Sequence, residues 1–217
     1  MKLFTFKNLL VLGLLCLPYV YLYFIYDGLP DQVGLHFGAD MKPDRMGPKS
    51  ELWSTTSIMM GIALAAYLIV TNLSYFDPKN QNLQSVAQID KISLLVVLLM
   101  SCLSCYIIYS AYSGYIGNAL TIILGGFMAI LGNLMHNIKP NYFIGMRMPW
   151  TLDNENNWRK THQFGSKIWV AGGLITMLAS FLTSPDKVMT YIFIPVVLLM
   201  VIIPGIYSYK YFKAGNP

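Results

Sequence analysis

Ile92-Ser-Leu-Leu-Val-Val-Leu-Leu-Met-Ser-Cys-Leu-Ser-Cys-Tyr-Ile-Ile-Tyr-Ser-Ala111 carries no charge over twenty residues. A helix of about that length spans the roughly 30 Å hydrocarbon core of a bilayer. Five further apolar runs lie at 8–26, 54–73, 116–135, 167–184 and 188–208. Lipid offers no partner for an open backbone, and these runs are too long and unbroken for barrel strands, so each is expected to be a helix. Composition agrees: the chain is 55% hydrophobic and 12% charged, with a mean hydropathy of +0.51. The prediction is an all-α integral membrane protein, a bundle of six transmembrane helices with an outer cap loop and an inner interfacial loop and helix.

Orientation follows from the basic residues. With the N-terminus inside, Lys2, Lys7, Lys79, Lys91, Lys139, Arg147, Arg159, Lys160, Lys167, Lys210 and Lys213 are cytoplasmic, and only Lys42, Arg45, Lys49 and Lys187 lie outside. That excess predicts a multi-pass membrane protein with both termini in the cytoplasm. Topology accounts for the net charge of +5, so direct nucleic-acid binding is not expected; anionic lipid headgroups are the partners such residues meet. Lys2 and Lys7 ahead of an apolar run also resemble the start of a secretory signal. The run is long, ends in Tyr19-Val-Tyr-Leu-Tyr-Phe24 and shows no Ala-x-Ala site, so a retained helix is expected.

Within the spans, Cys102 and Cys105 form a C-x-x-C without a second pair or a charged neighbour, and read as small buried hydrophobes. Gly61 with Ala65 and Gly125 with Ala129 have the spacing that lets helix backbones approach. Pro195 and Pro204 each remove a backbone donor from the last span and can kink it. Asp, Glu, Lys and Arg are missing from the middle of every span, which argues against a transporter or pore, because ion paths and proton relays need ionisable groups there. A metal-dependent membrane enzyme is a further alternative. His136 and His162 share the inner side, but His36 falls across the membrane from them, and two histidines without a placed acid make no catalytic set. No enzymatic activity and no cofactor are expected.

Two loops hold most of the remaining chemistry. The outer one, Asp27 to Lys49, is rich in proline and glycine and so in tight turns. Its His36 with Asp31, Asp40 and Asp44 permits a metal or acid-base site; the alternative is a compact cap whose polar groups satisfy one another. In the inner one, Lys139-Pro140-Asn141 can close the fourth span, Gly145 and Pro149 impose turns, and Asp153 or Asn154 can cap a short helix. Glu155 and Arg159 have i,i+4 spacing, and Trp158, His162 and Gly165 share a face. Trp150 and Trp158 suit the headgroup level, where Arg147, Arg159 and Lys160 can meet phosphates. The loop reads either as an interfacial anchor or as a docking surface for a cytoplasmic partner or small anionic ligand.

The run Gly132-Asn133, Ile138-Lys139-Pro140-Asn141-Tyr142-Phe143-Ile144-Gly145-Met146-Arg147, Pro149-Trp150-Thr151-Leu152 and Trp158-Arg159-Lys160-Thr161-His162, continuing to Gly165, resembles the signature of the SdpI-like bacterial immunity proteins. The outer loop, with Pro30, His36, Pro43-Asp44-Arg45, Gly47 and Lys49, resembles the domain of unknown function that usually precedes it. The chain departs from these patterns near Met41, where the family commonly has glycine, at Met46 and Pro48, and near His136 and Met148. The resemblance implies an N-terminal membrane region over 1–75 and an SdpI-like region over 76–217 with its signature loop at 136–166. It also implies immunity against a secreted, membrane-active peptide toxin met on the outer side and, in some members, recruitment of a transcriptional repressor on the inner side; an envelope-stress role is the competing expectation.

Overall fold

The computed structural model describes residues 5–38, 40–72, 86–141 and 144–215. In chain order the elements are α1 (Phe6–Ile25), β1 (Gln32–Phe37), β2 (Pro43–Pro48), α2 (Glu51–Thr71), α3 (Val86–Ser113), α4 (Ala119–Met135), α5 (Pro149–Leu152), α6 (Glu155–Ser180), α7 (Pro185–Lys187) and α8 (Ile194–Lys213). Among the described residues the regular structure is helical apart from one two-stranded hairpin. Large apolar side chains point outward along the bundle, with Phe24 at 78% and Leu182 at 84% exposure. Helices apolar on their outer faces as well as their inner ones have lipid as their solvent.

Among the described residues four helical stretches are long and apolar enough to cross a membrane: Phe6–Gly28, Glu51–Thr71, Gln88–Ser113 and Pro185–Lys213. The expected six reduce to these plus two helices of different character. α4 is only 17 residues long, and α6 starts well before the expected span at 167, in polar sequence. The separate interfacial helix expected after Asn154 does not end near Gly165; it runs on as the first half of α6.

The outer cap is a β-hairpin. β1 and β2 pair antiparallel, Gln32 opposite Pro48 and Val33 opposite Gly47. Between the strands Met41 sits at φ 60°, in the left-handed region that glycine occupies most freely. Leu29 and Val33 bury against Leu22, Leu52, Ile108 and Ala111, so one apolar cluster ties the hairpin to the adjoining ends of α1, α2 and α3. On its exposed face His36 Nδ1 lies 2.6 Å from Asp44, Arg45 bonds Glu51 at 2.5 Å, and Lys49 reaches Asp31 at 3.5 Å and donates to the Leu29 carbonyl at 3.3 Å. Asp40 accepts from the Lys42 backbone N–H. The carboxylates are thus divided among separate partners, and no three metal-binding side chains converge among the described residues.

At the other end of α1, Lys7 pairs with Asp90 of α3 at 3.0 Å, and Tyr67 of α2 donates to Asn8 at 2.8 Å beside the buried Val11, Tyr67 and Val97. Midway, Ser101 donates to the Leu14 carbonyl at 2.8 Å. Cys102 and Cys105 are free thiols, each partly buried.

Among the described residues α4 and α6 make the most extensive helix contact. A Cβ added at Gly125 would lie 2.7 Å from the Gly173 carbonyl oxygen; one at Gly173 would strike the Gly125 carbonyl; and one at Gly132 would lie 2.6 Å from Trp169 Cβ. These three glycines therefore set the interhelical spacing, as small residues do where lipid supplies no hydrophobic drive. Thr121 and Ser180, both buried, bond at 2.8 Å across the same contact. The expectation for Gly61 and Ala65 is corrected: both are exposed, and a Cβ at Gly61 would meet nothing within 4 Å, because that face of α2 is turned away from the bundle. Pro195 lies at the start of α8, directly after a π-helical turn over Val188–Phe193; Pro204 lies inside α8 and is buried.

Candidate functional site

The loop between α4 and α6 folds around a buried imidazole. α4 ends at Met135, earlier than Lys139-Pro140. Asn141, 1% exposed, donates through Nδ2 to the carbonyls of Lys139 and Ile144, both at 3.0 Å, and accepts from the Ile144 N–H at 2.7 Å. One side chain so satisfies loop backbone groups that would otherwise be costly to bury. Gly145 follows at φ 120°, a backbone conformation that L side chains rarely adopt. A Cβ there would also lie 2.5 Å from His162 Nε2 and 3.1 Å from the Trp158 ring. Glycine is required on both counts.

His162 and Trp158 are fully buried and stack with ring centroids 4.1 Å apart. His162 Nε2 accepts from the Met146 N–H at 2.9 Å, so Nδ1 carries the proton and donates to the Trp158 carbonyl at 2.9 Å. The ring is therefore neutral, with both nitrogens used; burial pushes its pKa from 6.5 down to about 4. Trp158 Nε1 donates to the Ile138 carbonyl at 2.9 Å, and its ring packs with Ile92 of α3 and Ile138. Trp158 therefore does not offer its polar edge to lipid headgroups as an interfacial anchor would: its N–H finds a carbonyl inside the protein, which offsets the cost of full burial.

A second network fastens α5 and α6 to α8. Thr151, fully buried, accepts from the Met148 N–H and donates to the Met146 carbonyl, each at 2.9 Å. Asn154 caps α6 by accepting from the Asn157 N–H at 2.8 Å, one of the two caps expected. Asn157 Oδ1 receives the hydroxyls of Thr161 and Ser208, both at 2.9 Å, while its Nδ2 donates to the Ser208 carbonyl at 3.2 Å. Trp150 Nε1 in turn donates to Ser208 Oγ at 2.9 Å, and the indole stacks on Phe212. Gly165 lets Met146 press onto α6, since a Cβ there would strike the Met146 methyl. His136 Nδ1 bonds Ser166 Oγ at 2.9 Å, apart from the His162 ring.

Asn141, Gly145, Thr151, Trp158, His162 and Gly165 thus meet in one scaffold, with Trp150 at its edge. Lys139, Arg147, Pro149 and Arg159 are exposed around it, with Pro140 half-buried; Asn133 is exposed on the last turn of α4, and Tyr142 lies outside the described residues. Glu155 and Arg159 form no ion pair; Arg159 instead donates to Asn156 at 3.0 Å, since an exposed pair gains little in water. Pro30, His36, Pro43, Asp44, Arg45, Gly47 and Lys49 lie at the hairpin, at the opposite end of α3 from Ile92 and hence from this site. The sequence reading missed Asn157 and Ser208. A lone serine near the end of an otherwise apolar helix was the available signal.

A cleft of about 350 Å³ opens beside the scaffold, lined by polar side chains such as Gln88, His136, Lys139, Glu155 and Arg159 and by Ile138 and Pro140. The arrangement offers a rigid base carrying exposed cations; its imidazole is spent on structure and faces no carboxylate.

Residues 137–208 match the SdpI/YfhL protein family, and residues 13–60 match a domain of unknown function (DUF1648). Over 210 residues the chain is 28% identical to Immunity protein SdpI of Bacillus subtilis (strain 168), covering 97% of this chain and 98% of that one. It is 40% identical over 73 residues to an uncharacterized protein of Archaeoglobus fulgidus, covering 33% of this chain and 39% of that one. No solved structure matches the chain. The resemblance to the SdpI-like family and its N-terminal companion is thereby shown.

Proposed function

We propose, from a chain that aligns almost end to end with an immunity protein, that it is a multi-pass membrane protein protecting a bacterium against a secreted, membrane-active peptide toxin. That alignment, spanning hairpin, bundle and loop together, is the observation that carries the reading. Six crossings with both termini in the cytoplasm put the hairpin outside, where a toxin arrives, and the Asn141–His162 scaffold inside. No catalytic step is assigned. Trp158 and His162 are buried, so they act by holding the loop, and the exposed Arg147, Arg159 and Lys160 are the residues available to a repressor. Toxin binding must favour one packing of the bundle over another if it is to alter that surface.

Expression in a sensitive bacterium tests the reading, with survival and membrane potential scored during exposure to peptide toxins, including any encoded beside this chain. Protection is expected; wild-type sensitivity at full membrane expression overturns it. Replacing Arg147, Arg159 and Lys160 with alanine should abolish co-sedimentation of a repressor with membranes while protection persists, and undiminished co-sedimentation removes the docking role.

A further inference from the structure

On the outer side of α8, Ile202, Gly205, Ile206, Tyr209, Lys210 and Lys213 recur at the three- and four-residue steps that align side chains on one helix face. With Trp150 of α5 they line a groove of about 650 Å³. Its floor is open at Gly205, where a Cβ would meet nothing within 4 Å. Trp150 is a preformed wall, pinned by its bond to Ser208 and by stacking on Phe212, so an occupant need not order it. Ile202 is 50% and Ile206 51% exposed, on a helix apolar enough to cross a membrane.

The groove changes character at the end of α8. Lys213 Nζ lies 5.4 Å from the Tyr209 ring centre, and neither Lys210 nor Lys213 pairs with a carboxylate among the described residues. Arg147 lines an adjoining cleft that shares Met148 and Gly205 with the groove. An apolar trough facing lipid and ending in unpaired ammonium groups matches a molecule with an acyl chain and an anionic head. We propose that this groove is a binding site for an anionic phospholipid, one acyl chain lying along Ile202, Gly205 and Ile206 and its phosphate meeting Lys210 and Lys213. A zwitterionic lipid fills the trough equally well but carries its own cation to the lysines, so charge sets the selectivity.

The test uses the purified full chain in mild detergent with phosphatidylglycerol or phosphatidylcholine of identical brominated chains, reading the tryptophan quenching that disappears in W150F. Phosphatidylglycerol should quench that share at the lower mole fraction, by about fivefold for each lysine contact. The K210Q/K213Q pair should bring the two lipids level, and G205L, whose Cβ enters open space and whose branch then occupies the trough, should weaken quenching by both. Equal quenching by the two lipids in the unaltered protein overturns the site, with no variant needed. So does a phosphatidylglycerol preference that survives K210Q/K213Q, or quenching that survives G205L.

Discussion

Acidification should destabilise the signature loop through one side chain, His162. Its pKa is about 4 in the folded protein against an ordinary 6.5, so the unfolded chain takes up the proton first as pH falls. The sign follows: this contribution is fully present above 6.5, declines as pH drops toward about 4, and then levels off. The full gap corresponds to about 3 kcal/mol, most of which is lost between pH about 7 and about 4.5. Chemical unfolding of detergent-solubilised protein, followed by tryptophan emission, measures this in an H36Q/H136Q background, with H36Q/H136Q/H162Q as reference. Carboxylate titrations are common to both chains and cancel in the difference. A pH dependence that matches in the two within about 0.5 kcal/mol, or a folded-state ring titration by NMR centred near 6.5, would refute the reasoning.

Two further perturbations probe the framework. Gly145→Ala places a Cβ against His162 Nε2 at a positive-φ residue; strain plus loss of the Met146 hydrogen bond should cost about 2–4 kcal/mol, read as a lowered unfolding midpoint with membrane insertion unchanged. Gly173→Leu should force α4 from α6 and cost about 3 kcal/mol or more, whereas Gly61→Leu on the open face of α2 should stay within about 0.5 kcal/mol; unfolding of the two variants side by side makes the comparison.

Legibility in the sequence followed the physics of each element. α2 and α3 were plain because twenty apolar residues have one economical solution in lipid. α6 was misdivided, since its polar first half and apolar second half read as two helices although Asn154 caps a single one. Small-residue spacing revealed Gly125 but promoted Gly61 equally, because spacing does not say which way a helix faces. The hairpin was hidden among prolines and glycines that signal turns as strongly as strands, and its burial depends on distant Leu22 and Ile108. Loop residues that resemble the family signature gathered as a group, but aromatic and basic composition alone placed Trp158 at the membrane surface. Only the tertiary partner of its N–H, the Ile138 carbonyl, explains why it lies inside.

The unbroken course of α6 has a mechanical corollary. At 26 residues it is a rod of about 39 Å, bound to α8 through Asn157 near one end and to α4 through Ser180 at the other. A shift that moves α6 as one body changes both contacts together. Coupling of this kind runs both ways by thermodynamic necessity: whatever docks at the imidazole end and prefers one seating of the rod retunes affinity at the far end by the same factor that an occupant there retunes the docking.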